Sequence, residues 1–137
     1  MKIINNTKTR RIITWVIATF FVVTIVVTTI QGNSNTHKLA NQGVLANAYV
    51  MDITTTVRGD FAIDYRFIVN GKSFEDQHSY SELLMRYQNN FLNRTFPVIY
   101  LPQNPSINYL LVTPQSFKEY NKDFPDSLQW IMQYMRK

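Results

Sequence analysis

A run of nineteen residues without a charged side chain, Ile12 to Ile30, constrains this chain more than any other feature. A helix over this run is roughly 28 Å long at about 1.5 Å of rise per residue, close to the hydrocarbon thickness of a bilayer. Apolar residues occupy every side of that helix, which is typical of a membrane span. The run therefore predicts a transmembrane helix over 12–30. The residues predicted to span the membrane include Ile12, Trp15, Phe20, Phe21, Val27 and Ile30.

The positive charges near this run all lie on one side of it. Lys8, Arg10 and Arg11 come shortly before the run, and the next cation is Lys38. Lysine and arginine next to a membrane helix favour the cytoplasmic side, so these three residues are the predicted topology signal. We expect a single-pass protein of a bacterial inner membrane, with residues 1–11 as a cytoplasmic tip and the rest beyond the membrane.

A cleaved secretory signal is the alternative to an uncleaved anchor. A signal has an apolar core of about 7–15 residues and a small residue just before the cleavage point. Thr28-Thr29-Ile30-Gln31 offers no small residue there, although Gly32-Asn33-Ser34 is a passable site. The longer core favours the anchor. Thr24 and Thr28, four residues apart, also allow self-association through a small-xxx-small contact.

Charge and cysteine content exclude several classes of function. Residues 31–137 hold ten Lys or Arg and nine Asp or Glu, a net charge of +1, so most of the +5 of the whole chain comes from its first eleven residues. Such a balance argues against a phosphate-binding face, and we predict no nucleic-acid partner. The chain contains no cysteine. Disulfide scaffolds, thiol nucleophiles and thiolate metal sites are therefore excluded.

The region after the run changes to a period of two. Apolar residues alternate over 61–69, which predicts a strand with one buried face. Asn70-Gly71 follows, the dipeptide that most favours a type I′ hairpin turn, and 73–79 is the expected return strand. We predict the other strands at 44–57, 96–101 and 109–112, a loop at 102–106, and a polar tether at 31–42.

Two helices complete the predicted domain. Apolar residues at helical spacing indicate one helix over 80–93, with Ser81 as its N-cap. A second, amphipathic helix follows Pro125, where Asp126 and Gln129 resemble a capping box. The predicted fold class is α+β. A single transmembrane helix precedes an extracytoplasmic, mostly antiparallel β-sheet or barrel-like domain over 43–137, with one inserted helix and a C-terminal amphipathic helix.

The C-terminal helix supplies the predicted partner or interface face. Its apolar and aromatic residues are Leu128, Trp130, Ile131, Met132, Tyr134 and Met135. These side chains fit three roles: packing on the open sheet, resting in lipid headgroups, or gripping a partner protein. The sequence leaves all three open.

Polar residues with the chemistry of a catalytic or metal site are few. Asp76 and His78 share one face of a predicted strand, but two ligands do not make a zinc site, and a solvated face is the favoured interpretation. Asp60 and Asp64 resemble paired carboxylates, yet they lie beside arginines, including Arg66, and cross-strand ion pairs are expected. We predict no catalytic residue, cofactor or metal, and no enzyme activity.

Two segments carry a resemblance to a known family. Tyr65 to Lys72 is a strand ending in a Gly-Lys hairpin, and Val98 to Ser106 is a strand with a tyrosine leading into an Asn-Pro loop. Both resemble the bacterial family called domain of unknown function 3592. The resemblance implies a small β-rich domain beside one or two membrane helices, and it implies no catalytic residue. Leu101 stands where that family usually has an acid.

These observations favour a membrane-anchored, extracytoplasmic protein-interaction module, such as an envelope component or an immunity-type protein. The predicted partners are the lipid bilayer and another protein. The alternative is a small-ligand sensor, which predicts a cavity lined by Phe61, Tyr65 and Phe67. An envelope enzyme subunit is the third hypothesis, and it requires a cleft with converging polar groups.

Overall fold

The computed structural model describes residues 7–136, apart from the side chains of 7–10, 28–31 and 33. The elements, in chain order, are α1 (Thr7–Gln42), β1 (Val44–Thr55), β2 (Phe61–Val69), β3 (Lys72–Tyr80), a first 3₁₀ helix (Met85–Asn90), β4 (Thr95–Leu101), β5 (Asn104–Leu110), α2 (Pro114–Glu119) and a second 3₁₀ helix (Asp126–Tyr134). The chain divides into two compact units between Asn35 and Thr36. The second unit begins with the last turns of α1 and contains the whole sheet.

The predicted transmembrane helix is corrected by the structure. In the described part of the chain, no helix has the length and apolarity that crossing a membrane requires. The predicted fold class is wrong in this element, and the predicted single-pass inner-membrane location is wrong with it.

The predicted membrane and topology residues lie on one continuous helix. Ile12, Trp15, Phe20, Phe21 and Val27 are exposed along α1, and so is Arg11. The side chains of Ile30, Lys8 and Arg10 lie outside the described residues. Residues 31–42, predicted as a tether, continue α1 as far as Gln42.

The sheet is antiparallel throughout, with the strand order β3-β2-β1-β4-β5. The pairing of β1 with β2 shifts between Val50 and Asp52, so one extra residue is inserted into β1. Such a bulge bends a strand and increases its twist. Side chains of the two edge strands, β3 and β5, reach one another. The predicted β-rich domain is therefore present, as a nearly closed sheet.

Two hairpins, β2–β3 and β4–β5, form the two sides of this sheet. Asn70 and Gly71 have φ angles of 51° and 76°, the positive values that a type I′ turn requires, which confirms that turn. At the other hairpin, β5 already begins at Asn104, so the loop predicted over 102–106 is wrong in length. The last strand, predicted over 109–112, runs instead from Asn104 to Leu110.

The core lies on the inner face of the sheet. The alternation predicted along β2 is confirmed, because Phe61, Ile63, Tyr65 and Phe67 are all fully buried. Phe61 packs edge-on against Phe91, with ring centroids 5.1 Å apart. The Phe91 ring extends this cluster to Phe96 of β4 and to Trp130 of the second 3₁₀ helix.

The helix predicted over 80–93 is a 3₁₀ helix over Met85–Asn90 only. Leu83 forms an isolated bridge with Met135, and the amide of Leu84 donates to the carbonyl of Tyr134. This pairing holds residues 83 and 84 extended, so the helix cannot begin before Met85. Ser81 is therefore not its N-cap, which was wrongly predicted.

The C-terminal amphipathic helix is also a 3₁₀ helix, over Asp126–Tyr134. Pro125 precedes it with no side-chain cap bond, so the predicted capping box of Asp126 and Gln129 is wrong. Leu128 and Ile131 are buried three residues apart. A helix with three residues per turn places such positions on one face, which favours the tighter form here.

Helix α2 was not predicted, although its start carries a recognisable signal. Thr113 accepts a hydrogen bond from the amide of Ser116, and the Ser116 hydroxyl accepts one from the amide of Thr113. Pro114 occupies the first helical position, where its missing N–H costs nothing. The Thr-Pro-Gln-Ser sequence is therefore a capping box around a short helix.

Candidate functional site

A set of hydrogen-bonded polar and titratable groups lies where β3 approaches β5. We call it the β3–β5 seam; it consists of Asp76, His78, Tyr80, Asn108, Tyr109 and Leu110, with Tyr65 of β2 beneath it. Asp76, His78 and Tyr80 are alternate residues of β3, paired in register with Tyr65, Ile63 and Phe61 of β2. Because these β2 residues face the core, the three β3 side chains point inward too.

Side chains rather than a backbone ladder close the seam. The Tyr80 hydroxyl donates to the carbonyl oxygen of Leu110 at 2.5 Å. The Tyr65 hydroxyl donates to Asn108 Oδ1 at 2.5 Å, and Asn108 Nδ2 donates to Asp76 Oδ2 at 3.2 Å. Asn108 is buried, and its Nδ2 also donates to the carbonyls of Pro105 and Ser106.

The hydrogen-bond partners fix the tautomer of His78. Asp76 only accepts hydrogen bonds when ionised, so the Asn108 atom that faces it is the amide nitrogen and the other is the acceptor oxygen. The single hydroxyl proton of Tyr65 is used toward that oxygen. His78 Nδ1 lies 2.8 Å from the Tyr65 hydroxyl and must therefore donate to it. Neutral His78 then carries its proton on Nδ1 and a lone pair on Nε2.

Aromatic rings surround the imidazole. The Tyr109 ring meets His78 edge-on, with centroids 4.3 Å apart, and Tyr65 lies at 5.8 Å. Tyr109 also contacts Tyr80 at 6.3 Å and Tyr120 at 5.0 Å. Tyr109 thus fills the space between the two edge strands.

Burial dominates the titration of the seam. Burial lowers the pKa of His78 below its ordinary value, and the neighbouring Asp76 carboxylate opposes this shift. Burial also raises the pKa of Tyr65 and of Tyr80 well above their ordinary value. For Tyr109, burial and then Glu119 raise the pKa to about 12. At neutral pH the tyrosine and histidine rings of the seam are therefore neutral.

The arrangement of the seam favours a structural role, joining β3 to β5, over a catalytic one. Tyr65, the group that links His78 to Asn108, is fully buried and out of reach of a bound molecule. The predicted solvated face for Asp76 and His78 is wrong, because both side chains are half-buried on the inner side of β3. The alternation of Phe74, Asp76, His78 and Tyr80 was the signal that could have revealed it.

The carboxylates near Arg66 have partners other than those predicted. Arg66 forms an ion pair with Glu75 at 2.6 Å, and Asp64 accepts a hydrogen bond from Gln77 Nε2 at 2.7 Å. Glu75 and Gln77 stand directly opposite Arg66 and Asp64 in the pairing of β2 with β3. Register, rather than closeness in sequence, therefore selects these contacts.

A second candidate is the apolar surface of α1. We define the α1 apolar surface as Ile12, Ile13, Trp15, Val16, Ile17, Phe20, Phe21, Val22, Val23, Val26 and Val27. These side chains are between 46% and 73% exposed. The hydroxyls of Thr19 and Thr24 donate to the carbonyls of Trp15 and Phe20, each at 2.8 Å, so these donors are satisfied within the helix. Thr28, the other half of the predicted self-association pair, lies outside the described side chains.

The residues predicted as a partner face at the C-terminus have mixed environments. Leu128 and Ile131 are buried in the core, whereas Met132 is exposed. Trp130, Tyr134 and Met135 are half-buried against the core cluster. Arg94 covers the Trp130 ring at 4.6 Å.

A shallow groove of about 420 Å³ lies on the outer face of the sheet. It is lined by Asn47, Tyr49, Arg66, Phe67, Ile68 and Thr95. Tyr49 donates to Asn93 Oδ1, and Arg66 is held by Glu75, so two of its polar groups already have partners. The small cavity predicted among Phe61, Tyr65 and Phe67 is instead filled by the rings themselves, which are fully buried.

Comparisons with known proteins add no identity to this geometry. No protein-family model, curated protein or solved structure matches the chain. Among the residues that the structure describes, no group of three or more His, Asp or Glu is placed to hold a metal ion. The resemblance to domain of unknown function 3592 stays a prediction. Its two matched segments fall on the β2–β3 and β4–β5 hairpins.

Proposed function

We propose that this protein is an interaction module whose copies assemble through the α1 apolar surface. The observation that carries the proposal is the exposure of large apolar side chains along 12–27 of α1. Together these side chains expose on the order of 1,000 Å², more than the ~800 Å² per partner of a standard protein interface. Contiguous apolar surfaces of this size mark interaction sites.

The chemistry of this surface favours a helix as the partner element. The threonine hydroxyls of Thr19 and Thr24 are bonded to their own helix, so the surface offers almost no hydrogen bond to a partner. A strand edge packed there leaves its backbone groups unpaired, whereas a helix satisfies its own backbone. Because the apolar residues lie on all sides of α1, more than one neighbouring helix is needed to cover it.

Further copies of this chain fit the requirement. The run 12–30 carries no charge, so identical helices meet along it without like-charge repulsion. Arg11 and the preceding cations stand at one end of the run. Antiparallel neighbours keep these cations apart, so we expect an antiparallel bundle of α1 helices.

The test is sedimentation of the full chain at about 10 μM with two matched arginine variants. Phe20→Arg places a charge on the α1 apolar surface, and Ile68→Arg places one at a site on the sheet that is 65% exposed. We expect the wild-type chain and Ile68→Arg to sediment with at least twice the mass of one chain. Phe20→Arg should sediment as one chain.

Three results overturn the proposal. The first is a wild-type chain that sediments as a single copy at this concentration. The second is an assembly that Phe20→Arg leaves unchanged. The third is flotation of single chains with phosphatidylcholine vesicles, since lipid and not a second copy then covers α1.

The small-ligand alternative draws less support from the described residues. The outer groove is shallow, and its Tyr49 and Arg66 are already engaged by Asn93 and Glu75. Ligand sites place a few polar groups free to converge on the bound molecule. The α1 apolar surface is larger than this groove. A partner can bind to it without breaking contacts such as those of Tyr49 and Arg66.

A further inference from the structure

The two edges of the sheet are joined by contacts of an unusual kind. β3 and β5 are the outermost strands in the hydrogen-bonded order, and side chains link them. A backbone ladder distributes many bonds along a strand. Here the strands are joined by the Tyr80 and Asn108 hydrogen bonds, by the Tyr65 bond to Asn108 and by the ring contacts of Tyr109. One change at the seam can therefore weaken a large part of the closure.

We propose that the β3–β5 seam is a pH-sensitive closure, in which protonation of His78 separates β3 from β5 while the rest of the sheet stays paired. This inference is independent of the proposed assembly through α1. It concerns residues of the second unit alone.

Protonation of His78 favours separation of β3 from β5 because of where the ring lies. Nδ1 already carries a proton and donates to the Tyr65 hydroxyl, so an added proton goes to Nε2 and makes the ring a cation. The ring is half-buried between Tyr65 and Tyr109. A cation held there loses part of its hydration, and separation of the strands restores it.

The titratable groups around His78 determine whether its neutral or its protonated form is favoured. They are Tyr65 on β2, Asp76 and Tyr80 on β3, Tyr109 on β5, Glu82 after β3, and Glu119 and Tyr120 at the end of α2. The Asp76 carboxylate favours the cation. Burial outweighs the carboxylate, since the pKa of His78 is lowered overall.

The sign of the pH effect follows from that lowering. The open seam lets His78 bind a proton near its ordinary pKa of 6.5, while the closed seam binds it only at lower pH. Closure is therefore fully favoured above pH 6.5 and weakens as the pH falls below that value, until the closed form is protonated as well.

The experiment is an NMR titration of the full chain between pH 8 and pH 5. The chain has two histidines, His37 and His78, so both ring titrations can be assigned. The seam is followed by the ring-to-ring NOE between Tyr80 and Tyr109, and the core by that between Phe61 and Phe91. We expect the seam NOE to fall at least tenfold with the midpoint of His78, while the core NOE persists.

Two variants separate His78 from other groups. His78→Gln keeps an amide that can donate to the Tyr65 hydroxyl but does not titrate, so the seam NOE should persist at pH 5. His37→Gln changes the exposed histidine of α1 and should behave as the wild type.

The wild-type titration alone is decisive if His78→Gln does not fold. A seam NOE that persists to pH 5 overturns the proposal. So does a loss whose midpoint follows His37, or one that removes the core NOE at the same pH. In a folded His78→Gln variant, loss of the seam NOE also overturns it.

Discussion

Aromatic and β-branched residues stand in two opposite environments in this protein. Along α1 they follow one another on every side of the helix, and Phe20 is 71% exposed. Along β2 they alternate with polar residues, and Phe61 is fully buried. The difference teaches that apolar content does not decide burial in this chain. A period of two gives one face to the core and one to water, whereas α1 has no polar side to leave outside.

The largest expected loss of stability follows substitution of Phe61, the buried phenylalanine of this comparison. Phe61→Ala removes a ring packed 5.1 Å from Phe91 and leaves a cavity in the filled core. We expect the free energy of unfolding to fall by about 3–5 kcal/mol. Urea denaturation followed by circular dichroism measures it. A loss below about 1 kcal/mol would mean that the core is looser than its burial indicates.

Sequence periodicity predicted the part of the fold in which each residue faces one clear environment. The alternation from Phe61 to Val69 and the Asn70-Gly71 turn gave the β2–β3 hairpin, because both signals are local. The two 3₁₀ helices were predicted as longer α-helices. Their ends depend on contacts distant in sequence, such as the bridge between Leu83 and Met135.

The seam was beyond sequence reasoning for a related reason. His78 and Asn108 lie thirty residues apart and are joined through Tyr65. The polar character of Asp76 and His78 favoured a solvated face, and the approach of the two sheet edges that buries them has no local signal. The α1 apolar surface was visible from the start, but its predicted place in a bilayer was wrong for the described helix.

An intermediate loss of stability is expected at the β3–β5 seam, because its side chains are polar and at least partly buried. Asn108→Ala removes the acceptor of the Tyr65 hydroxyl and the donor to Asp76. Loss of these bonds from a buried position should lower the free energy of unfolding by about 1–3 kcal/mol. Asn104→Ala is the control, because Asn104 begins the same strand with an exposed side chain.

The same denaturation series measures both asparagine variants. We expect Asn104→Ala to stay within about 0.5 kcal/mol of the wild type. Equal losses in the two variants would show that asparagine in β5 matters through its strand position and not through the seam bonds.

The smallest expected change in stability follows substitution of Phe20, the exposed phenylalanine of the comparison. Phe20→Ala makes the same chemical change as Phe61→Ala on the α1 apolar surface. We expect a change in the free energy of unfolding of the second unit within about 0.5 kcal/mol. The measurement belongs at a concentration where the chain is a single copy. A loss near that of Phe61→Ala would end the contrast between the two regions.

Gly43, the single residue between α1 and β1, has a consequence for how the chain tolerates length changes. Its amide donates to the carbonyl of Leu39 at 2.9 Å, and a Cβ placed there would lie 2.6 Å from Ile99 Cγ1 and closer still to the Leu39 oxygen. Neither a side chain nor an added residue fits this joint without moving the backbone. Insertions should therefore be excluded at this crossing and admitted instead at solvent-exposed bends such as the one around Gly59, where a Cβ would meet no neighbour.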